Sequence, residues 1–301
     1  MRFSFVKLKF IFFAFSAIVL LAGIVSIAAQ GFNLGIDFTG GTLLDLKFAK
    51  PVTVSEVRAV LKDYDLENSV VQLAGTEKTD KAPNVIVRTR ILDESERRAV
   101  LQGMTTKIGQ YDIMRIEKVG ATIGSEMTRE AIIALLLSWL VIIAYVSYRF
   151  EFRFGVAGIL ALVHDVMIVV GLFSIFHIEI DATFVAALLT IVGFSINDTI
   201  VIFDRIRENM KLMKKGETLP DMVDKSIWQT MSRSIYTSLT VLFATAALYF
   251  LGGETTKTFS LALLIGFVAG TYSTIFLASP IWLLWKERDE QKRLEHKMRP
   301  A

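Results

Sequence analysis

Apolar residues along this chain gather into six runs of about 20, the length at which a helix rising 1.5 Å per residue crosses about 30 Å of hydrocarbon. They lie near Phe10 to Ala29, Ala131 to Tyr148, Gly155 to Phe176, Ala182 to Phe203, Ser234 to Leu251 and Phe259 to Leu284. Arg2, Lys7 and Lys9 precede the first run and Ala28 and Ala29 end it, as in a cleaved signal. Its apolar stretch exceeds the roughly 7 to 15 residues of a signal core, and five further runs follow. It reads as an anchor, so the chain reads as a polytopic α-helical membrane protein with six transmembrane helices.

Between the first two runs the period changes. Gly41 to Phe48 alternates as a strand, Thr53-x-x-Glu56 is a capping box that opens a helix to about Tyr64, and Asn68 to Ala74 and Asn84 to Arg90 read as two more strands. Asp93-x-x-Glu96 opens a second helix to about Ile108, and Tyr111 to Val119 alternates again. The order β-α-β-β-α-β predicts a ferredoxin-like, split βαβ, α+β domain over residues 30–129. Such a fold hosts many functions and identifies none.

Lys and Arg in short flanks resist translocation, so their distribution sets orientation. They crowd the N-terminal flank (Arg2, Lys7, Lys9), the turn after the second run (Arg149, Arg153), the segment 204–233 and the tail 286–301. The opposite turns hold His177, Glu179 and Asp181, and Gly252, Gly253, Glu254 and Lys257. Both termini are therefore expected in the cytoplasm and residues 30–129 outside it. Residues 1–29 form the N-terminus and first span, 130–285 a five-span bundle with one or two interfacial helices in 204–233, and 286–301 a basic cytoplasmic tail.

Composition removes whole classes of function. A formal charge of +3 provides no strong field for nucleic acid, and 53% hydrophobic residues are too many for an ordinary soluble enzyme of this length. With no Cys there is no disulfide, thiolate metal site or thiol nucleophile, and the three His (His164, His177, His296) are scattered. No metal or cofactor is expected.

Polar residues inside apolar runs are the informative ones, because hydrocarbon penalises them by several kcal/mol unless they are satisfied. His164 and Asp165 sit in the third run, and Asn197 and Asp198 in the fourth, with Arg233 at the mouth of the fifth. Asp198 is either held by neighbouring helices or is a titratable group that takes up and releases a proton; a pairing with Arg233 would switch its proton affinity with conformation. His164 and Asp165 divide between helix packing and a proton relay, since adjacent side chains diverge by about 100° and do not share a face. Ala186, Thr190, Gly193 and Asn197 follow one helical face, and Gly266-x-x-x-Gly270 with Ser273 follows another, which suggests close helix packing. An intramembrane aspartyl hydrolase built on Asp165 and Asp198 would need facing carboxylates. Their depths differ by about 7 Å at 1.5 Å per residue, which argues against an enzyme.

Gly35, Asp37, Gly40 and Gly41 fall within Leu34-Gly35-Ile36-Asp37-Phe38-Thr39-Gly40-Gly41-Thr42, just after the first run. The glycines permit backbone angles closed to other residues, as a hinge or an ordinary turn would require. This stretch resembles the signature of the SecD/SecF family of protein-export membrane subunits, an RND-like superfamily. The resemblance continues in order through Val119-Gly120-Ala121-Thr122-Ile123-Gly124-Ser125-Glu126, His164-Asp165, Gly193-Phe194-Ser195-Ile196-Asn197-Asp198-Thr199, Phe203-Asp204-Arg205-Ile206-Arg207-Glu208-Asn209 and Ser232-Arg233-Ser234-Ile235-Tyr236-Thr237-Ser238. The motifs match the SecF branch, with Ser234 where the family often has Thr. No motif falls between about Val52 and Arg115.

The resemblance implies a bacterial inner-membrane subunit that pairs with SecD as a heterodimer beside the SecYEG channel, with YajC, YidC and, indirectly, SecA as further partners. It would use the proton motive force to complete the export of precursor proteins, with Asp198 carrying the proton, Arg233 as its partner, and Asp165, His164 and Asn197 nearby. A proton-coupled RND-like antiporter of small molecules or lipids is the alternative, though a six-span half would seek another half.

Overall fold

A computed structural model describes residues 4–74 and 81–298. The chain folds as α1 (Lys9–Gln30), β1 (Asn33–Leu34), α2 (Ile36–Thr39), β2 (Gly41–Thr53), α3 (Val54–Lys62), β3 (Val70–Ala74), β4 (Lys81–Thr89), α4 (Glu94–Lys107), β5 (Tyr111–Val119), α5 (Ala121–Arg149), α6 (Phe152–Ile175), β6 (Glu179–Ile180), α7 (Ala182–Lys211), α8 (Leu219–Leu251), α9 (Glu254–Ser273), a π-helical stretch (Thr274–Ala278) and α10 (Ser279–Met298). Among the described residues six helical segments are long and apolar enough to cross a membrane; the last runs unbroken from α9 into α10. The chain divides into two compact units, Leu34–Ile132 and the remainder.

The smaller unit is an antiparallel four-stranded sheet in the order β3-β4-β2-β5. β3 pairs with its sequence neighbour β4, while β2 lies between β4 and β5, neither of which follows it directly in the chain, as in a split βαβ fold. Strand alternation turns Leu44, Leu46 and Phe48 of β2 and Val85 and Val87 of β4 into one core with Val57 and Leu61 of α3 and Met104 of α4. The first residue of β2 pairs with the last of β5, Gly41 opposite Val119.

Both capping boxes form. Thr53 Oγ1 accepts from the Glu56 amide while Glu56 Oε2 accepts from the Thr53 amide at 2.7 Å. Asp93 and Glu96 do the same at 2.7 and 2.9 Å. The donated hydrogen bonds hold the carboxyls of Glu56 and Asp93 below the usual carboxylate range; for Glu96 the Arg90 guanidinium is the larger cause and the Asp93 amide the next. Folded pKa values that are lowered contribute stability above the unfolded pKa and lose it as pH falls through the folded value. Hydrogen exchange at the Thr53 and Glu96 amides, which donate to the Glu56 and Asp93 carboxyls, is therefore expected to speed up, after correction for its intrinsic rate, as pH drops below the carboxylate range. Unchanged protection there would show that the caps do not need charged carboxyls.

Two of the signature glycines are forced by geometry. Gly40 and Gly41 have φ of +71° and +135°, and a Cβ on Gly41 would lie 2.4 Å from the Thr89 carbonyl oxygen. Gly40 is equally confined, with Ala121 Cα 2.8 Å from its would-be Cβ. They serve close packing as well as a turn. Gly35 caps α2 with φ of −70°, open to any residue, and Asp37 lies half-buried in the first turn of that helix.

In the larger unit α6 and α7 are the most enclosed single helices, and α1, α8 and α9 pack on them. Gly23 and Gly171 let α1 and α6 touch: a Cβ on either would stand 2.9 Å from the other's Cα. Gly266 and Gly270 do the same for α9 on α7, against Ile191 and Ser195. The face through Ala186, Thr190, Gly193 and Asn197 behaves differently. All four are exposed, and nothing lies within 4 Å of a Cβ built on Gly193. Among the described residues nothing packs on this stripe.

The charged segment 204–232 does not fold as separate interfacial helices. Residues up to Lys211 extend α7 and those from Leu219 belong to α8, so the charges mark where two long helices leave the apolar layer. Charge changes the solvent a helix prefers without interrupting its hydrogen bonds.

Candidate functional site

Asp165 is 1% exposed and joins three helices. From α6 its Oδ2 accepts from Ser195 Oγ of α7 at 2.6 Å and from Ser273 Oγ of α9 at 2.8 Å. Its Oδ1 lies 3.0 Å from His164 Nδ1. The sequence argument that neighbouring side chains point apart does not hold here: Nδ1 is the ring nitrogen nearest the backbone, so the imidazole folds back onto the adjacent carboxylate.

Asp198 lies three residues beyond Ser195, on the same face of α7. It is 4% exposed, and Oδ1 accepts from Ser234 Oγ of α8 at 2.8 Å. Among the described residues Oδ2 is buried with no hydrogen-bond partner. Next to Asp198 in the chain, Thr199 Oγ1 meets Thr274 Oγ1 at 2.9 Å, where the π-helical stretch begins. Ser238 Oγ and Thr271 Oγ1, 2.7 Å apart, link α8 to α9. Buried hydroxyls and carboxylates thus pair at several points within an apolar bundle, with a π turn among them, a feature that often accompanies functional sites.

Arg233 is exposed and lines a cavity of about 340 Å³ with Tyr145, Arg149, Asp204, Arg205 and Glu208. Its neighbour Ser234 holds Asp198; among the described residues no ion pair joins Arg233 to Asp198. Asn197 points out of the bundle from the exposed α7 stripe. Sequence reasoning gave Ser273 a packing role only, and had no role for Thr274 or Thr199. The available signal was hydroxyl residues in apolar runs, which need partners in hydrocarbon. Among the described residues no three His, Asp or Glu side chains converge as metal ligands would. Asp165 is engaged by two serines and Asp198 by one, an arrangement suited to holding or exchanging a proton between helices.

The family model for the C-terminal region of the protein export membrane proteins SecD and SecF matches residues 100–288. The chain belongs to the SecD/SecF family. The model of that family's GG motif matches residues 25–52, which contain Gly40 and Gly41. The SecF protein translocase subunit of Acidaminococcus fermentans is 49% identical over 288 residues, covering 95% of this chain and 98% of that one. The SecF subunit of Vibrio alginolyticus is 41% identical, covering 93% and 89%. Among solved structures, the SecDF of Thermus thermophilus, described as a translocon-associated membrane protein, superposes with a TM-score of 0.87 at 37% identity. The match covers 95% of this chain and 39% of that SecDF chain, so this SecF-like chain spans about two fifths of it.

Proposed function

We propose that this chain is the SecF subunit of a bacterial Sec translocase and that, with SecD, it uses the proton motive force to promote completion of protein export. The observation that carries the proton coupling is Asp198, enclosed between α7 and α8 with one oxygen bonded and the other buried without a partner. Asp198 would take up and release the proton. Arg233, one residue from Ser234 and lining a polar cavity, would modulate it from the surface, and the Asp165–His164 pair would form a second exchange point. SecD would complete the bundle, because α5 buries little of its length and the small-residue stripe of α7, including Asn197, is exposed among the described residues. SecYEG, YajC, YidC and SecA are the wider partners of this reading, and no catalytic role is assigned.

Membrane vesicles loaded with a translocating precursor test the function. Adding this chain with its SecD partner to depleted vesicles is expected to restore the part of export that responds to the proton motive force. Restoration that persists after the force is collapsed would sink the coupling. Sidedness is testable because the chain has no Cys. A lone cysteine replacing Lys62 is expected to react with an impermeant maleimide in intact cells and one replacing Lys215 to be protected; the reverse pattern would place the α+β domain in the cytoplasm.

A further inference from the structure

A groove of about 440 Å³ lies between α1, α6 and α9, within the about 300–1,000 Å³ range of small-molecule sites. Its walls are apolar side chains such as Phe15, Ile168, Leu172, Leu264 and Val268, and its polar members are Ser16, His164 and Tyr272. Two of those are already engaged: Ser16 Oγ donates to the Tyr272 hydroxyl at 3.3 Å, and that hydroxyl donates to the Phe12 carbonyl oxygen at 2.8 Å.

His164 is not fully engaged. It is 7% exposed, and while Nδ1 meets Asp165, Nε2 on the opposite edge of the ring is buried with no hydrogen-bond partner among the described residues. The ring lies beside Tyr272, with centroids 6.1 Å apart and planes at 26°. A buried polar nitrogen without a partner costs free energy, so this groove has apolar walls and a single demand for a hydrogen bond. Nδ1 faces a carboxylate that also accepts from two serines, a geometry that favours the tautomer whose Nδ1–H donates to Asp165. Nε2 of the neutral imidazole is then an acceptor. Its complement is an O–H group on an apolar body.

Depth narrows the chemistry further. His164 lies twelve residues into α6, about 18 Å along the helix axis, near the middle of about 30 Å of hydrocarbon. A phospholipid headgroup does not reach that level, and an acyl chain would fill the walls while leaving Nε2 unpaired. We propose that the groove binds a neutral lipid alcohol dissolved in the membrane, its chain along α1 and α9 and its hydroxyl donating to His164 Nε2.

The test is nitrogen NMR of the full chain with its partner in phospholipid nanodiscs, with ¹⁵N in the histidine rings. Three histidines give few resonances, and His164→Gln assigns the one that matters. Farnesol is expected to move the His164 Nε2 resonance saturably, whereas farnesyl methyl ether, with the same body and no O–H, leaves it in place. Val268→Trp, at a lipid-exposed position of the groove wall, is expected to abolish the farnesol shift in a protein whose other histidine resonances are unchanged. Equal shifts with the ether, no shift with farnesol, or a full shift in the Val268→Trp protein would each overturn the site.

Discussion

Asp198→Asn is expected to reduce precursor export at full proton motive force to the level seen when the force is collapsed, with assembly beside the partner subunit unchanged. Asparagine is nearly isosteric, and its amide oxygen can still accept from Ser234, so the packing between α7 and α8 has little reason to move. What is lost is the capacity to exchange a proton. One elementary charge crossing 100 mV is worth about 2.3 kcal/mol. At about 1.4 kcal/mol per tenfold, that is a bias of roughly fifty-fold in a coupled equilibrium. Ser234→Ala removes only the hydrogen bond and is expected to leave most of the force-dependent component. Export time courses in vesicles with and without an uncoupler measure both, and a force response retained in Asp198→Asn would falsify the assignment of the proton to this residue.

The largest stability effect is expected at Asp165. Leucine there removes the acceptor for two serines and a histidine in one step, inside a bundle where water offers no replacement. Each buried group left without a partner costs about 1–3 kcal/mol. The total is tempered at Ser273, whose hydroxyl already has the Gly270 carbonyl oxygen within reach at 3.2 Å. A net loss of about 3 kcal/mol or more is therefore expected for Asp165→Leu, against about 1 kcal/mol for Ser273→Ala. Because both changes dismantle one network, the double variant should lose less than the sum. Thermal unfolding of the detergent-solubilised chain reads all three. If Asp165→Leu proves as stable as the parent, the three-helix junction contributes nothing and Asp165 is retained for another reason.

These two residues show how far the sequence reaches. Asp198 and Asp165 stand out from sequence because a carboxylate in an apolar run is rare and costly, a property of the residue and its neighbours in the chain. Their partners Ser234, Ser195 and Ser273 come from other helices, and the choice among many intramembrane hydroxyls depends on packing that no local pattern encodes. The same division holds for the fold. The six spans, the capping boxes at Thr53 and Asp93 and the order of the α+β elements rest on short-range periodicity and capping, and they appear where the sequence places them. The π-helical stretch at Thr274 carries no sequence mark, since a change from i→i+4 to i→i+5 bonding comes from tertiary contacts. Charge between Asp204 and Ser232 suggested separate surface helices, yet propensity carried α7 and α8 through it.

The pairing of Gly41 with Val119 has an evolutionary corollary. Opposed residues in an antiparallel ladder lie about 5 Å apart, so the α+β fold begins and ends at one spot. A polypeptide with adjacent ends can be spliced into a parent chain without stretching the host. Recombination at these two points could exchange the insert for another of the same footprint, leaving the membrane helices free to diversify at a different rate from the α+β module they carry.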